Sequence, residues 1–254
     1  TALRIESRYL AKLAVGPVAK NLISLFFNRT AIRSGASRPK DVPKWKAQKV
    51  GILGAGMMGG GIAWATASRG VPCILKDVTL EQAQRGKAYS EKLAEKRNRP
   101  QVPGFIKPTA NVQDLQGCDL IIEAVFEKRD LKAQVTKEAE PMLAPGGILA
   151  SNTSTLPITG LAQASAKPEH FIGLHFFSPV DKMQLVEIIK GKKTSPETLA
   201  RAYDYVQQIG KIPIVVNDSR GFYTSRTFGT FVAEGCSMLM EGIPAAVIEN
   251  AGRL

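Results

Sequence analysis

Between residues 49 and 77 a short apolar strand runs into a glycine-rich turn, and this local order constrains the fold more than any other feature. KVGILGAG supplies Gly54 and Gly56, and Gly59 follows, so a G-x-G-x-x-G lies directly between a strand and a helix over 57–68. Gly54 permits a tight turn, Gly56 lets a pyrophosphate approach the backbone, and Gly59 lets helix and strand pack closely. The helix N-terminus at Met57 and Met58 offers unpaired N–H groups and the positive end of a dipole to phosphate. A second strand, VPCILKD, ends on Asp77, 18 residues after Gly59. A carboxylate there accepts both hydroxyls of a ribose and repels a 2′-phosphate, so the expected cofactor is NAD. Lys76 weakens that argument and is expected to point outward. An FAD site, or a glycine turn that merely packs tightly, are the competing readings.

The alternation continues beyond Asp77. A charged helix over 80–96 precedes the apolar strands DLIIEAV (119–125) and GGILAS (146–151), which a helix over 129–142 separates. HFIGLHFF (170–177), LVEIIK (185–190) and IPIVVN (212–217) read as later strands, with a helix over 196–209 before the last. The pattern predicts an α/β chain with a Rossmann-type, doubly wound, mostly parallel sheet. Upstream, Leu10, Leu13, Ala14, Val18, Leu22 and Phe26 at helical spacing predict one packed helix over 5–27. Lys12, Lys20 and Asn21 interrupt it, so no apolar run reaches the roughly 18 residues of a bilayer span. Pro39 and Pro43 make 29–48 a linker over a surface. Downstream, Ser219 and Gly221 mark a turn, 222–241 reads as a long helix, and another starts near Pro244. A helix cannot bury its apolar face alone. The expected division is therefore a connecting helix and linker over 1–48, an NAD-binding domain over 49–218, and the truncated start of an all-α domain over 219–254. The chain begins with Thr1 and reads as a piece of something longer.

Composition narrows the class. Apolar residues make up 44% and charged residues 22%, enough for a packed core. Cys73, Cys118 and Cys236 lie far apart, away from either histidine, which argues against a disulfide framework and against a metal site. The net charge of +12 favours polyanionic partners such as phosphorylated small molecules, and it leaves a membrane surface open.

Polar residues concentrate where later strands end, in SNTST (151–155), GLHFFSPV (173–180) and LVEIIK (185–190). With ILGAGMMGGGIA at the turn and EAVFE (123–127), this arrangement resembles the 3-hydroxyacyl-CoA dehydrogenase family over essentially the whole chain. The likeness is greatest to the dehydrogenase part of multifunctional fatty-acid β-oxidation proteins. The resemblance implies His175 as catalytic base, Glu187 as its partner and Ser154 as a donor to the substrate oxygen. Chemistry supports the pair: oxidising a secondary alcohol needs a base of near-neutral pKa, and a carboxylate can fix its tautomer. His170, at a loop-to-strand boundary, is expected to be a core histidine bonded to backbone. Glu127 and Lys132 match positions facing the nicotinamide-side ribose, against the alternative of a solvated ion pair. Backbone at Ala124 and Val125 is expected beneath the cofactor. Ser154 has its own alternative, a polar turn capping the helix from Pro157. Serine stands at Ser178, on the cofactor side, and at Ser225, in the catalytic group, where the family often has asparagine. Ser225 is expected to orient substrate weakly or through water.

The resemblance implies oxidation of L-3-hydroxyacyl-CoA to 3-oxoacyl-CoA with NAD. It also implies an enoyl-CoA hydratase half on the same full-length chain, and it leaves room for a thiolase subunit and a homodimer through the helical domain. The compartment would be bacterial cytoplasm or mitochondrial matrix. Coenzyme A gives the basic residues of the helix over 80–96 and its extension, Arg85, Lys87, Lys92, Lys96, Arg97 and Arg99, a polyanionic client, against the alternative of a solvated helix face. Because only the opening of the helical domain is present, the chain is expected to bind NAD and to turn over acyl-CoA poorly. Another 3-hydroxy acid dehydrogenase would favour a lysine base, and a crystallin-like dinucleotide holder would not need His175, Glu187 and Ser154. A nucleic-acid binder would need basic residues clustered with exposed aromatics, yet aromatics are 7% and lie mostly in apolar runs.

Overall fold

The computed structural model describes residues 1–253. Eight strands form one sheet in the order β3-β2-β1-β4-β5-β6-β7-β8. They are β1 (Val50–Leu53), β2 (Cys73–Lys76), β3 (Ile106–Thr109), β4 (Cys118–Glu123), β5 (Leu143–Ser151), β6 (Phe171–Phe176), β7 (Leu185–Lys190) and β8 (Ile212–Asn217). All neighbours are parallel except β6 and β7, which run antiparallel. β1 is buried along its whole length, as a central strand covered by helices on both faces must be. It pairs with β2 on one side and β4 on the other, so the winding reverses there. A reversal of this kind leaves a crevice outside the carboxyl ends of the strands.

β3 is absent from the sequence reading. It is four residues long, carries Lys107 and Pro108, and lies at the edge of the sheet, where a missing N–H costs no ladder bond. Helices α3 (Met57–Ala67), α4 (Leu80–Lys96), α5 (Arg129–Ala139) and α7 (Pro196–Gln208) fall where the apolar spacing places them, and α6 (Ile158–Leu161) is a single turn. A 2.7 Å hydrogen bond between Thr66 Oγ1 and the buried Tyr205 hydroxyl ties α3 to α7.

The N-terminal segment differs from expectation in three ways. The single helix is two, α1 (Ala2–Ala14) and α2 (Pro17–Arg33), and the axis turns by 65° between them. Pro17 causes the break: it suits the first position of a new helix and cannot continue an old one. Neither helix buries a residue, so the expected packing is not made, and Leu10, Leu13 and Phe26 are each about two-thirds exposed. The tract over 29–48, expected to pass over a surface, is instead pinned through Arg38. That side chain is buried and donates to both carboxylate oxygens of Asp204 on α7, each at 2.8 Å, and to the carbonyls of Pro39, Val42 and Pro43. After β8 come α8 (Thr224–Met240) and α9 (Ala245–Ala251), which bury no residue either.

A candidate active site at the carboxyl ends of the strands

The glycine turn has the dimensions a dinucleotide requires. Gly54 has φ +91°, and a Cβ on it would lie 2.7 Å from the Ala124 carbonyl. A Cβ on Gly59 would lie 1.7 Å from the Gly54 carbonyl, so α3 can sit this close to the turn only with glycine there. Over Gly56 there is open space: a Cβ would meet nothing within 4 Å. The turn opens onto a crevice of about 540 Å³ whose walls include Gly54, Gly56, Met57, Met58, Ala124 and Val125. Asp77 also lines it, held by the backbone N–H groups of Ala55 (2.6 Å) and Val78 (2.7 Å). Lys76, next to Asp77, is also among the residues that border the crevice. Open space above a glycine, a helix N-terminus and a fixed carboxylate together fit a pyrophosphate and an adenosine ribose.

Beyond Ala124 and Val125 lies a buried ion cluster. The Lys132 ammonium, only 3% exposed, sits 2.7 Å from Glu123 and 3.2 Å from Glu127. The lysine of the Glu127–Lys132 pair is therefore withdrawn from solvent, while the Glu127 side chain stays 36% exposed. Ser151 donates to the other oxygen of Glu123 (2.7 Å). One Glu127 oxygen collects the N–H groups of Ser154 and Thr155 and the hydroxyls of Thr153 and Thr155. Burial works to raise the Glu127 pKa, but the bonds from Thr153 and Lys132 outweigh it and hold the carboxyl below its ordinary range. This carboxylate thus shapes the SNTST turn. The Ser154 side chain itself makes no hydrogen bond among the described residues, and the helix from Pro157 is capped from elsewhere. Asp218 accepts from the N–H groups of Ile158 and Thr159, each at 2.8 Å.

His175 and Glu187 face each other across the antiparallel β6–β7 ladder. His175 Nδ1 lies 2.7 Å from Glu187 Oε2, and both side chains are buried. Glu187 also sits at the N-terminus of α8. There Oε1 accepts from the Tyr223 (3.1 Å) and Thr224 (2.9 Å) N–H groups, and Oε2 accepts from the Thr224 hydroxyl (2.8 Å). Burial alone would raise the Glu187 pKa, but hydrogen bonds from His175 and Thr224 overcome it and keep the carboxyl below its usual range. An ionised Glu187 accepts the Nδ1 proton, which leaves the Nε2 lone pair bare. Phe177 and Phe222 pack against the imidazole at 4.5 and 5.9 Å between ring centres.

Some residues singled out in the sequence stand apart from this pair. Ser225, one residue past Thr224, makes no side-chain hydrogen bond among the described residues. Ser178 instead touches the cofactor turn, its hydroxyl 3.6 Å from the Met57 sulfur. His170 bonds the Gly147 carbonyl at 3.2 Å. On α4 Arg85 pairs with Glu81, and in the turn after it Arg97 pairs with Asp181 and Arg99 bonds the Ser68 carbonyl. The sequence reading missed Thr224, Glu123, Asn152 and Asp218. Asn152 accepts the Phe176 N–H at 2.8 Å and locks the ends of β5 and β6 together. The available signal for Thr224 was a hydroxyl residue at a helix start; placing that start at residue 222 hid it.

Comparison with known proteins follows the same lines. The family model described as 3-hydroxyacyl-CoA dehydrogenase, NAD binding domain, matches residues 49–219. The solved (S)-3-hydroxybutyryl-CoA dehydrogenase of Ralstonia eutropha is 36% identical, with a TM-score of 0.75 over 78% of this chain and 74% of its own. The 3-hydroxybutyryl-CoA dehydrogenase of Escherichia coli K12 is 28% identical, with a TM-score of 0.74 over 79% of this chain and 44% of its own. The dehydrogenase part of multifunctional enzyme 1 from C. elegans shares the fold at 24% identity, with a TM-score of 0.69 over 84% and 53%.

Proposed function

From the premise that this chain belongs to the NAD-dependent 3-hydroxyacyl-CoA dehydrogenase family, we infer that it oxidises the 3-hydroxyl of an L-3-hydroxyacyl-CoA to a ketone, a step of fatty-acid β-oxidation. The observation that carries this reading is the 2.7 Å contact of His175 Nδ1 with Glu187, which leaves Nε2 without a protein partner among the described residues. NAD, when bound, supplies the acceptor for the hydride that leaves the 3-carbon. His175 takes the hydroxyl proton at Nε2, and the imidazolium so formed is stabilised by the carboxylate on its other nitrogen. Glu187 is kept ionised and immobile by Tyr223 and Thr224, so it cannot swing away to water. Phe177 and Phe222 exclude water from the ring and strengthen the ion pair as it develops. Ser154 closes the SNTST turn held by Glu127, from which its hydroxyl can donate to the substrate oxygen. Gly56, Met57 and Asp77 hold the cofactor's phosphates and adenosine ribose.

The test is His175→Asn, with NADH formation from L-3-hydroxybutyryl-CoA and NAD binding measured side by side. Turnover is expected to fall by about 10²- to 10⁴-fold, the usual contribution of a general base, with NAD affinity unchanged. Full turnover in the variant would remove His175 from the reaction.

A further inference from the structure

A second cavity, of about 260 Å³, lies between the C-terminal turns of α3 and α4, the loop after β6 and the turn into β8. It shares no lining residue with the cofactor crevice. Its lining brings together Arg69, Arg97, Arg99, Lys182 and Lys211, against the single carboxylate of Asp181. Such a surplus of one sign around a small concavity gives it a positive potential that attracts an anion.

The donors are held in place but not used up. Arg99 gives one N–H to the Ser68 carbonyl at 2.8 Å, and Arg69 lies over Gly210 with one long bond (3.4 Å) to the Ile209 carbonyl. A guanidinium has five donors, so each keeps several free. Lys211 is anchored by the Val180 and Met183 carbonyls, each at 2.6 Å. These are neutral acceptors, which position an ammonium without cancelling its charge. Burial pushes its pKa down to about 8, with Asp181 pulling the other way. Asp181 is already committed: Arg97 pairs with it and the Tyr89 hydroxyl donates to it at 3.0 Å. One more lining residue has an unmet need. The Ser68 hydroxyl is shut off from solvent and has no hydrogen-bond partner among the described residues. Unpaired buried hydroxyls of this kind are few in folded proteins.

We propose that this cavity is a phosphate-binding site, formed by Arg69, Arg99, Lys182 and Lys211 and separate from the cofactor crevice. Its chemistry suits a dianionic phosphate monoester, whose oxygens accept from several forked donors at once. The source is either the phosphate of a bound nucleotide such as the 3′-phosphorylated end of coenzyme A, or free phosphate. The proposal does not depend on the dehydrogenase reading, since none of these side chains touches the His175–Glu187 pair.

Calorimetric titration of the protein with inorganic phosphate and with adenosine 3′,5′-bisphosphate tests it. Saturable binding of either probe is expected, weakened by at least tenfold in Arg69→Ala/Arg99→Ala and in Lys182→Ala. NAD binding, measured in parallel, is expected to stay unchanged and so to show that the variants are folded. Tighter binding of the bisphosphate than of phosphate assigns the site to a nucleotide; equal binding assigns it to free phosphate. No saturable binding of either probe by the unaltered protein, or binding that survives in all variants, overturns the proposal.

Discussion

Replacing Glu187 by glutamine changes almost nothing in volume and should nevertheless stop the reaction. Both carboxylate oxygens act only as acceptors in the structure. Oε1 receives two backbone N–H groups, while Oε2 receives Nδ1 of His175 and the Thr224 hydroxyl. A glutamine must turn its NH₂ to one side or the other. Facing Tyr223 and Thr224, it would oppose two N–H groups that cannot rotate, and each lost bond costs about 1–3 kcal/mol. Facing His175, it meets one hydroxyl that can turn over and one imidazole that can change tautomer. The second arrangement is favoured, and it places the ring proton on Nε2, where the base must be bare. Loss of the charge and inversion of the tautomer together are expected to cost about 10³- to 10⁴-fold in kcat, or about 4–5 kcal/mol of barrier. NAD affinity should stay within about twofold, since Glu187 lines no part of the cofactor crevice. The assay is steady-state NADH formation from L-3-hydroxybutyryl-CoA, with NAD binding followed by titration. A variant within tenfold of the parent would refute the proton-transfer role of Nε2.

Three further outcomes follow from the geometry. Gly56→Ala leaves the fold intact, because its Cβ meets nothing within 4 Å, yet it should weaken NAD binding at least tenfold, about 1.4 kcal/mol; Gly59→Ala, whose Cβ would fall 1.7 Å from the Gly54 carbonyl, should also lower the melting temperature. Arg38→Met strips the bidentate partner from a buried carboxylate and leaves three carbonyls unpaired. The cost should be about 3 kcal/mol, a fall of about 6–12 °C in Tm by calorimetry; a change below about 2 °C would contradict the pinning of this tract. Glu127, Glu187 and Asp204 all have pKa values lowered in the folded state. Their contribution is therefore complete above the ordinary carboxylate pKa of about 4 and is lost as pH falls through the lowered values. Melting temperature should be flat at mildly acidic pH and drop below about pH 4, less steeply in Asp204→Asn than in the parent.

What the sequence disclosed was what lies close together along the chain. The Gly54–Gly59 turn, its flanking strand and helix, and Asp77 at the end of β2 form one continuous stretch, so their spacing carries their geometry. His175 and Glu187 are twelve apart and face each other because two antiparallel strands join them. Arg38 was unreadable because its partner Asp204 lies 166 residues away, and nothing local marks a buried arginine. β3 was hidden because Lys107 and Pro108 break the apolar pattern an inner strand would show. In α1 and α2 the helical spacing was plain, but spacing shows that an apolar face exists and not whether it is covered. Thr224 was missed through an error of two residues in a helix start, the boundary that local pattern defines least well.

The most direct test of the central claim is a crystal structure with NAD and acetoacetyl-CoA bound together. The 3-oxo oxygen is expected to accept a hydrogen bond from the Nε2 proton of the imidazolium form of His175, at about 2.6–3.2 Å, with Nδ1 still on Glu187. A keto oxygen held by other groups, with the imidazole turned from it, would contradict the account.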